Sequence, residues 1–418
     1  MLRWMKKKYV IIFITLISTS LFAENFNFST STDISTPDTG ITPQIATDNL
    51  GRYVFAVWEN GSNNVQVARS TDFSQTWSSP STIVSVSPGA VPQITAADSG
   101  RYVFTAFINP LADIQVASSD DFGQNFNLIT PDFGTGTAPQ IVADSSGQYV
   151  FVISSDSSSD IRMSRSINFG QTFSSEIIFT ANDNLFGQIT ASSSGQYVFG
   201  IWQNTAAGVP TYVAISNNFG QTFSFVDIGT GGARPQIAAS SSGQHVFTIW
   251  WDSLSGGGPI QTSWSADFGQ TWNLPAISIG TGSALSNPQI TADSSGKYVF
   301  AAWTDASGNI QTSRSANFGQ TWLLSSNFGT GDDPQIVTDI SGRYVYVIWD
   351  GGNIQVARSD DFGQTFSVIA PDLGAGSAPQ ITIDSSGQYV FPVWVNSDIF
   401  TTQRLRSFFP ITRFSTSR

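Results

Sequence analysis

The chain has 418 residues, among them 12 tryptophans, 32 phenylalanines, 37 glycines and no cysteine, and its formal net charge is −12. Because cysteine is absent, the chain has no disulfides, no thiolate metal site and no cysteine for lipid attachment at a mature N-terminus. Its acidity argues against nucleic acids and anionic membranes as partners.

The first 23 residues have the pattern of an export signal. Arg3 and three lysines precede an apolar run from Tyr9 to about Ala23, which is short for a bilayer span. We expect cleavage near Ala23, so that residues 24–418 form a single exported domain in the periplasm, outside the cell or at its surface. This mature chain has 14 basic and 30 acidic residues, a net charge of −16. We expect it to be a monomer that does not insert into a membrane.

One eight-residue pattern, S-x-(D/N)-F-(G/S)-Q-(T/N)-(F/W), occurs seven times, and we call it the repeated turn. Its copies begin at Ser70, Ser119, Ser166, Ser216, Ser265, Ser315 and Ser359. The third residue can accept hydrogen bonds from backbone N–H groups of its own turn, and the glycine permits a positive φ. These features predict a structural hairpin whose third residues hold the turn together: Asp72, Asp121, Asn168, Asn218, Asp267, Asn317 and Asp361.

A second pattern, P-Q-I, counts the units of the repeat. Its glutamines are Gln44, Gln93, Gln140, Gln188, Gln236, Gln289, Gln335 and Gln380, and Gln188 belongs to a variant with glycine in place of proline. They are 45 to 53 residues apart. A period of roughly 40–50 residues is typical of the four-stranded blades of β-propellers. Each unit contains a continuous apolar run, such as residues 344–349, which indicates a strand buried on both faces. The chain is therefore predicted to be all-β, with no sustained helical period.

The two ends of the chain decide the number of blades. The eighth unit stops matching at Ser407, where an eighth repeated turn is due, while Phe26 to Ile34 resembles a fourth strand that no turn precedes. We predict that this N-terminal strand pairs with the strand near residues 399–406, so that an eight-bladed ring closes without a free sheet edge. Seven blades with an irregular tail from Pro379 are the alternative.

The repeated turn resembles the Asp-box, or BNR, repeat of sialidase-like β-propellers, in which the box closes the hairpin between the third and fourth strands of a blade. The resemblance covers almost the whole chain and implies a propeller, with the boxes away from the catalytic face. Sialidases of this superfamily use three arginines, a Tyr–Glu pair and an acidic residue. This chain has no F/Y-R-I-P segment, and its glutamates are Glu24, Glu59 and Glu176.

A catalytic group should occur once, whereas framework residues recur in every blade. Arg162 and Tyr212 replace the glutamine found at one third-strand position of the other units, and Arg234 stands in what we predict to be a blade connection. An Arg–Tyr–Arg cluster at one rim would suit a carboxylated sugar, because arginine binds carboxylate through two parallel hydrogen bonds. Drift within a degenerate repeat is the alternative explanation of these three residues.

Six tryptophans recur at the end of the second strand and give another hypothesis. They are Trp58, Trp202, Trp250, Trp303, Trp349 and Trp394. Aromatic rings beside Asp and Asn could stack on sugars and make a multivalent lectin. They could equally fill the wedges between blades.

The remaining candidates are single residues. The lone histidine, His245, replaces a strand tyrosine and is expected to be a core variant, while Asp156 and Asp160 could bind Ca²⁺, although their spacing fits no known loop. We expect no cofactor and no metal. The sequence favours an exported binding or scaffold module for a glycan or protein at a cell surface, and a sialidase-like exo-glycoside hydrolase is the alternative.

Overall fold

A computed structural model describes residues 26–406, except for 87, 181–183, 205–209, 254–257, 283–286, 371 and 403. Its strands form eight four-stranded antiparallel sheets and one two-stranded ribbon. In seven of the four-stranded sheets the strands follow one another in chain order, and in the eighth a strand from the N-terminal end joins three consecutive strands, so each sheet is one propeller blade. No helix of a length and hydropathy that could cross a bilayer occurs in this part of the chain.

The innermost, first strands begin near each P-Q pair. They are β3 Gly40–Thr47, β7 Gln93–Ala96, β11 Gly136–Ala143, β15 Asn184–Ala191, β19 Gly232–Ala239, β23 Gln289–Ala292, β27 Asp332–Thr338 and β31 Ser377–Ile383. First strands of successive blades adjoin one another all the way round, and β31 adjoins β3. They therefore form the wall of a central channel.

The second strands are the apolar runs of the sequence. They are β4 Val54–Asn60, β8 Val103–Ile108, β12 Val150–Asp156, β16 Val198–Asn204, β20 Val246–Asp252, β24 Val299–Thr304, β28 Val345–Asp350 and β32 Val390–Asn396. All seven residues of β4 are buried, as expected of a strand covered on both faces by neighbouring blades. These strands supply most of the core.

The third and fourth strands complete each blade toward its outer edge. The third strands are β5 Asn64–Ser70, β9 Ile114–Ser119, β13 Ile161–Ser166, β17 Pro210–Ser216, β21 Pro259–Ser265, β25 Asn309–Ser315, β29 Ile354–Ser359 and β33 Asp398–Thr401. The fourth strands of blades one to seven are β6 Ser81–Ser85, β10 Asn127–Leu128, β14 Ser174–Phe179, β18 Ser224–Thr230, β22 Ile277–Thr281, β26 Leu323–Thr330 and β30 Ser367–Ala370.

The fourth strand of blade eight comes from the other end of the chain. It is β2, Thr32–Asp33, which pairs with β33, and β1, Phe26–Phe28, pairs with β34, Arg404–Arg406. This confirms the eight-bladed ring closed by the N-terminal segment. The predicted strands at both ends are each divided in two, because the pairing is interrupted between β2 and β1.

A ring of backbone hydrogen bonds joins the turns between the first and second strands of all eight blades. The N–H of one turn donates to the carbonyl of the next at 2.8–3.2 Å, in the order 49, 98, 145, 193, 241, 294, 340, 385 and back to 49. We call it the hydrogen-bonded ring. It lies on the same face as the repeated turns, which we call the repeat-turn face. The opposite face, with the second-to-third-strand turns and the blade connections, is the connection face.

The repeated turns have one geometry in all seven copies. In the last, the Ser359 hydroxyl donates to Asp361 Oδ1 at 2.8 Å and accepts from the Gly363 N–H at 2.9 Å, while Asp361 Oδ1 accepts from the Thr365 N–H at 2.9 Å. Gly363 has φ 71°, as predicted, but Phe362 before it also has a positive φ of 62°. The sequence did not indicate this strained phenylalanine.

Stacking between blades explains why a bulky residue tolerates this backbone conformation. In each repeated turn the phenylalanine ring lies 4.3–4.7 Å, centroid to centroid, from an aromatic ring of the preceding blade. His245 provides that ring in blade five, where it stacks on Phe318 at 4.5 Å. Burial lowers the pKa of His245, while Asp293 acts to raise it. The histidine thus substitutes for tyrosine in a framework contact.

Replacing Asp361 by alanine should lower the free energy of unfolding by about 1–3 kcal/mol, because turn amides lose their acceptor. Burial acts to raise the pKa of Asp361, but hydrogen bonds from Thr365, Ser359 and Gln364 outweigh it and leave the pKa below 3.8. Its stabilising contribution should therefore be present at neutral pH and disappear as the pH falls through that lowered pKa. Chemical denaturation at several pH values measures both effects.

Asp361→Asn is the matched control, since Asn168, Asn218 and Asn317 hold the equivalent turns in this same chain. The free energy of unfolding of this variant should fall much less than that of the alanine variant. Equal losses for both variants would contradict the assigned role of the side-chain oxygen.

Candidate functional site

In five blades the residue before the P-Q pair lies in a bulge at the connection-face end of the first strand, and in blades two and six it lies just before that strand begins. Six of these residues have a φ of 42–50°, namely Thr42, Val91, Ala138, Arg234, Asp333 and Ala378. A bulge inserts an unpaired residue and redirects its side chain. Arg234 lies within β19, on the channel wall, so the prediction that it stands in a blade connection was wrong.

Three of the residues that precede a P-Q pair are polar and form one chain of hydrogen bonds across blades five to seven. The Arg234 guanidinium donates to Asn287 Oδ1, and Asn287 Nδ2 donates to Asp333 Oδ1 at 2.5 Å. We call these three residues the mouth cluster. Burial and the neighbouring Asp332 raise the pKa of Asp333, although the bond from Asn287 and the charge of Arg234 act in the opposite direction.

The mouth cluster borders a cavity of about 230 Å³ at the end of the channel. Its wall also contains four glutamines of the P-Q-I pattern: Gln236, Gln289, Gln335 and Gln380. Each amide presents both donors and an acceptor, and the arginine and aspartate add one charged donor and one charged acceptor. The cavity is thus a polar site with many hydrogen-bonding groups.

The site is confined to one sector of the ring. The residues at the equivalent position, Thr42, Val91, Ala138 and Ala378, carry no charge. A repeated framework that gains a charged cluster in one sector is asymmetric, as a single ligand site requires. The predictions from sequence missed Asn287 and Asp333, although their position directly before P-Q could have identified them.

Charge is distributed unequally between the two faces. In the described residues, Arg162 and Arg234 are the cations of the connection face, whereas its loops and strand ends hold fifteen carboxylates. These are Asp33, Asp38, Glu59, Asp113, Asp132, Asp156, Asp160, Asp227, Asp252, Asp305, Asp332, Asp333, Asp350, Asp372 and Asp398. The repeat-turn face has eight cations among its described side chains: Arg52, Arg69, Arg101, Arg165, Lys297, Arg314, Arg343 and Arg358. Its described turns also hold twelve aspartates, so the connection face has the larger excess of negative over positive charge.

The predicted Arg–Tyr–Arg cluster is divided among different surroundings. Arg162 lies in β13, donates to the Phe133 carbonyl and pairs with Asp156 at 3.5 Å. Tyr212 lies in β17 with its ring 5.1 Å from that of Phe179. Both belong to third strands, two strands or about 10 Å outward from the channel wall that bears Arg234. Each residue has its own local partners.

The six recurring tryptophans are core residues. Trp58, Trp202, Trp250, Trp303, Trp349 and Trp394 are at most 1% exposed. A ring without an open face cannot stack on a sugar, so the hypothesis that these tryptophans bind glycans does not fit their burial. Their position at the end of the second strand suggested exposure, but the adjoining blades cover that end.

Two carboxylates that were candidates for a catalytic or metal-binding role accept hydrogen bonds from nearby backbone N–H groups instead. Glu59 is buried and accepts hydrogen bonds from the N–H groups of Gly89 and Ala90 at 2.8–3.1 Å, which fixes the connection between blades one and two. Asp156 Oδ1 accepts from the N–H groups of Ser158 and Asp160. Within the described ranges, no group of three or more acidic or histidine side chains is placed to hold a metal.

Comparisons with known proteins give the fold and no family. No family model matches the chain, and no curated protein matches it. Among solved structures, Sqt1 of Saccharomyces cerevisiae is 11% identical with a TM-score of 0.57, over 90% of this chain and 98% of that one. The BP39L lectin of Burkholderia pseudomallei is 12% identical with a TM-score of 0.54, over 79% and 97%. At these identities the likeness establishes the propeller fold alone.

Proposed function

We propose that this protein is a binding module that holds a neutral glycan at the mouth cluster. The observation that carries the proposal is the cavity in which Arg234, Asn287 and Asp333 meet four glutamine amides. Neighbouring hydroxyl groups of a sugar both donate and accept, and planar amide, carboxylate and guanidinium groups match them. A preformed polar site on rigid strands needs little ordering when the ligand binds.

The charge of the connection face decides which glycan is favoured. Fifteen carboxylates against two arginines repel an anionic sugar, so a neutral glycan fits better than a sialoside. The similarity to a lectin of the same fold is consistent with sugar binding. The seven repeated turns support the resemblance to Asp-box propellers, which we propose as the family. Export to the cell surface or periplasm likewise remains our proposal.

Replacing Arg234 by alanine, or Asp333 by asparagine, should weaken binding of a neutral oligosaccharide at least tenfold, about 1.4 kcal/mol. The oligosaccharide is first selected on a glycan array, and its affinity is then measured by titration calorimetry. Because the pKa of Asp333 is raised above 3.8, the pH at which an ordinary aspartate is half protonated, wild-type affinity should fall through a transition centred above that pH. The Asp333→Asn variant should lack that transition.

Thr42→Ala is the matched control, since Thr42 occupies the equivalent bulge of blade one with φ 50°. It should leave the affinity unchanged. A glycan that binds wild type and Arg234→Ala equally well would refute the site, and the absence of any glycan ligand would refute the function.

The hydrolase alternative has its own test. A sialidase-type reaction needs an activated nucleophile, an acid across the scissile bond and fixed cations for the substrate carboxylate. Arg162, Tyr212 and Arg234 belong to different surroundings, so we expect no turnover of a fluorogenic sialoside by the pure protein. Turnover that disappears in a folded Arg162→Ala variant would favour the enzyme instead.

A further inference from the structure

The residue before the serine of each repeated turn lies at the seam between two blades on the repeat-turn face. In blades one, three and six it is Arg69, Arg165 and Arg314, and each side chain packs beside the glycine of the next repeated turn. Arg69 Nη1 donates to the Phe122 carbonyl at 3.0 Å, and Arg165 Nη1 donates to the Phe219 carbonyl at 3.2 Å. The protein thus holds its own guanidinium groups at these seams.

Blade two has a short side chain at this seam position. Ser118 occupies it, and a Cβ added to Gly170 of the next turn would lie 3.3 Å from the Ser118 Cβ, so the backbones meet as they do at the other seams. In the described residues no side chain donates to the carbonyl of Phe169, the equivalent of Phe122 and Phe219. A cleft of about 450 Å³ opens there, lined by Ser118, Asp120 and Phe169 among others.

Asp120 adds a carboxylate to this cleft. Its equivalent in blade seven is Asp360, whose Oδ2 lies 3.6 Å from Nη1 of Arg358. Blade two therefore keeps the carboxylate of blade seven and the carbonyl of blades one and three, but has serine in place of the arginine. These are the two acceptors that a planar guanidinium with several N–H donors can use together.

The cation already at this cleft does not occupy the same position. Arg101 donates from Nε to the Asp120 carbonyl at 3.0 Å and lies over the ring of Tyr102. In blade one, Arg52 makes the equivalent contacts while Arg69 fills the seam beside it. Two arginines are therefore compatible with one seam.

We propose that the blade-two cleft is a binding site for an arginine side chain of a partner protein. The guanidinium donates to the Phe169 carbonyl, as Arg69 and Arg165 do to the equivalent carbonyls, and pairs with the Asp120 carboxylate, as Arg358 does with Asp360. The site lies on the face opposite the mouth cluster, so it is independent of the proposed glycan site.

Blade four provides a comparison within the same molecule. Its seam residue is Ile215, and a cleft of about 440 Å³ lies there as well, with Asn217 at the position of Asp120. None of the described residues that line this cleft has a carboxylate to neutralise a cation. Arginine should therefore bind at blade two and not at blade four.

The test is calorimetric titration of the full mature protein with the blocked peptide Gly-Gly-Arg-Gly-Gly, and with the same peptide carrying citrulline, which is neutral and nearly isosteric. We expect one arginine peptide per protein with a Kd of about 1 mM, and at least tenfold weaker binding of the citrulline peptide. Affinity should decline as salt is raised, because the contact is partly ionic.

Three variants locate the site. Ser118→Arg places an arginine where blades one, three and six have one, so it should fold and abolish peptide binding. Asp120→Asn should weaken binding about tenfold, and Ile215→Arg, which fills the other cleft, should leave it unchanged. If Ser118→Arg fails to fold, Asp120→Asn decides, because this exposed position also holds asparagine in blade four. No saturable binding by wild type, or unchanged binding by Asp120→Asn, would overturn the proposal.

Discussion

Deletion of residues 26–36 should lower the free energy of unfolding by about 4–5 kcal/mol, a loss at the upper end of what single structural changes cause. The deletion removes β2 and the buried Ile34, which packs with Trp58 and Ile399. It also removes two hydrogen bonds of 2.9 Å, from the Ile34 N–H to the Ile399 carbonyl and from the Ile399 N–H to the Ser35 hydroxyl. Thermal and chemical denaturation give the measurement.

A peptide with the deleted sequence is the control for this experiment. Added in excess, it should pair with β33 and restore most of the lost stability, because binding to the folded form alone stabilises it. The uncomplemented variant should also associate through its open sheet edge. A deletion variant with unchanged melting temperature and no affinity for the peptide would show that the ring does not depend on this strand.

Trp349→Ala should lower the free energy of unfolding by about 3–5 kcal/mol, as for other large aromatic residues removed from a core. The ring stacks on Phe328 at 4.9 Å and packs with Ile310 and Ile336, and it is fully buried. The cavity left behind has no neighbouring side chain that could fill it without disturbing two blades. Denaturation with urea, monitored by circular dichroism, measures the loss.

Trp349→Phe is the conservative control, with a smaller expected loss, because phenylalanine keeps most of the aromatic contact. Glycan affinity of both variants should equal that of wild type at temperatures where they remain folded. Full stability of Trp349→Ala together with lost glycan binding would restore the hypothesis that the tryptophans contact sugar.

The repeats explain why the fold could be predicted from the sequence. Seven P-Q-I copies and one G-Q-I variant, at a period typical of blades, indicated the number of sheets. The segment near residue 30, which no repeated turn precedes, identified the strand that closes the ring. The second strands were evident because burial on both faces leaves a continuous apolar run. A short apolar run of this kind shows directly which residues of a strand are buried.

The site depends on contacts that no local pattern records. Arg234, Asn287 and Asp333 are about one blade apart in the chain, and only the packing of successive blades makes them neighbours. In the sequence, the bulge that turns Arg234 toward the channel is marked only by the proline that follows Arg234. The tryptophans were misjudged for the same reason. Their exposure depends on how closely the next blade approaches, and no local pattern records that distance.

The hydrogen-bonded ring has a consequence for how the protein is made. Its last bond joins the Ser385 N–H to the Asn49 carbonyl, and β2 near the start of the chain completes the sheet of β31, β32 and β33. The chain emerges N-terminus first, from the ribosome and from the export channel that our proposal implies, and at about 5–20 residues per second synthesis of the intervening chain alone takes roughly 20–70 s. Until the last blade has followed, the first blade has one uncovered apolar side, and the early strand has no partner. Ring closure is therefore the final folding event, and nascent chains should be most prone to aggregation just before it.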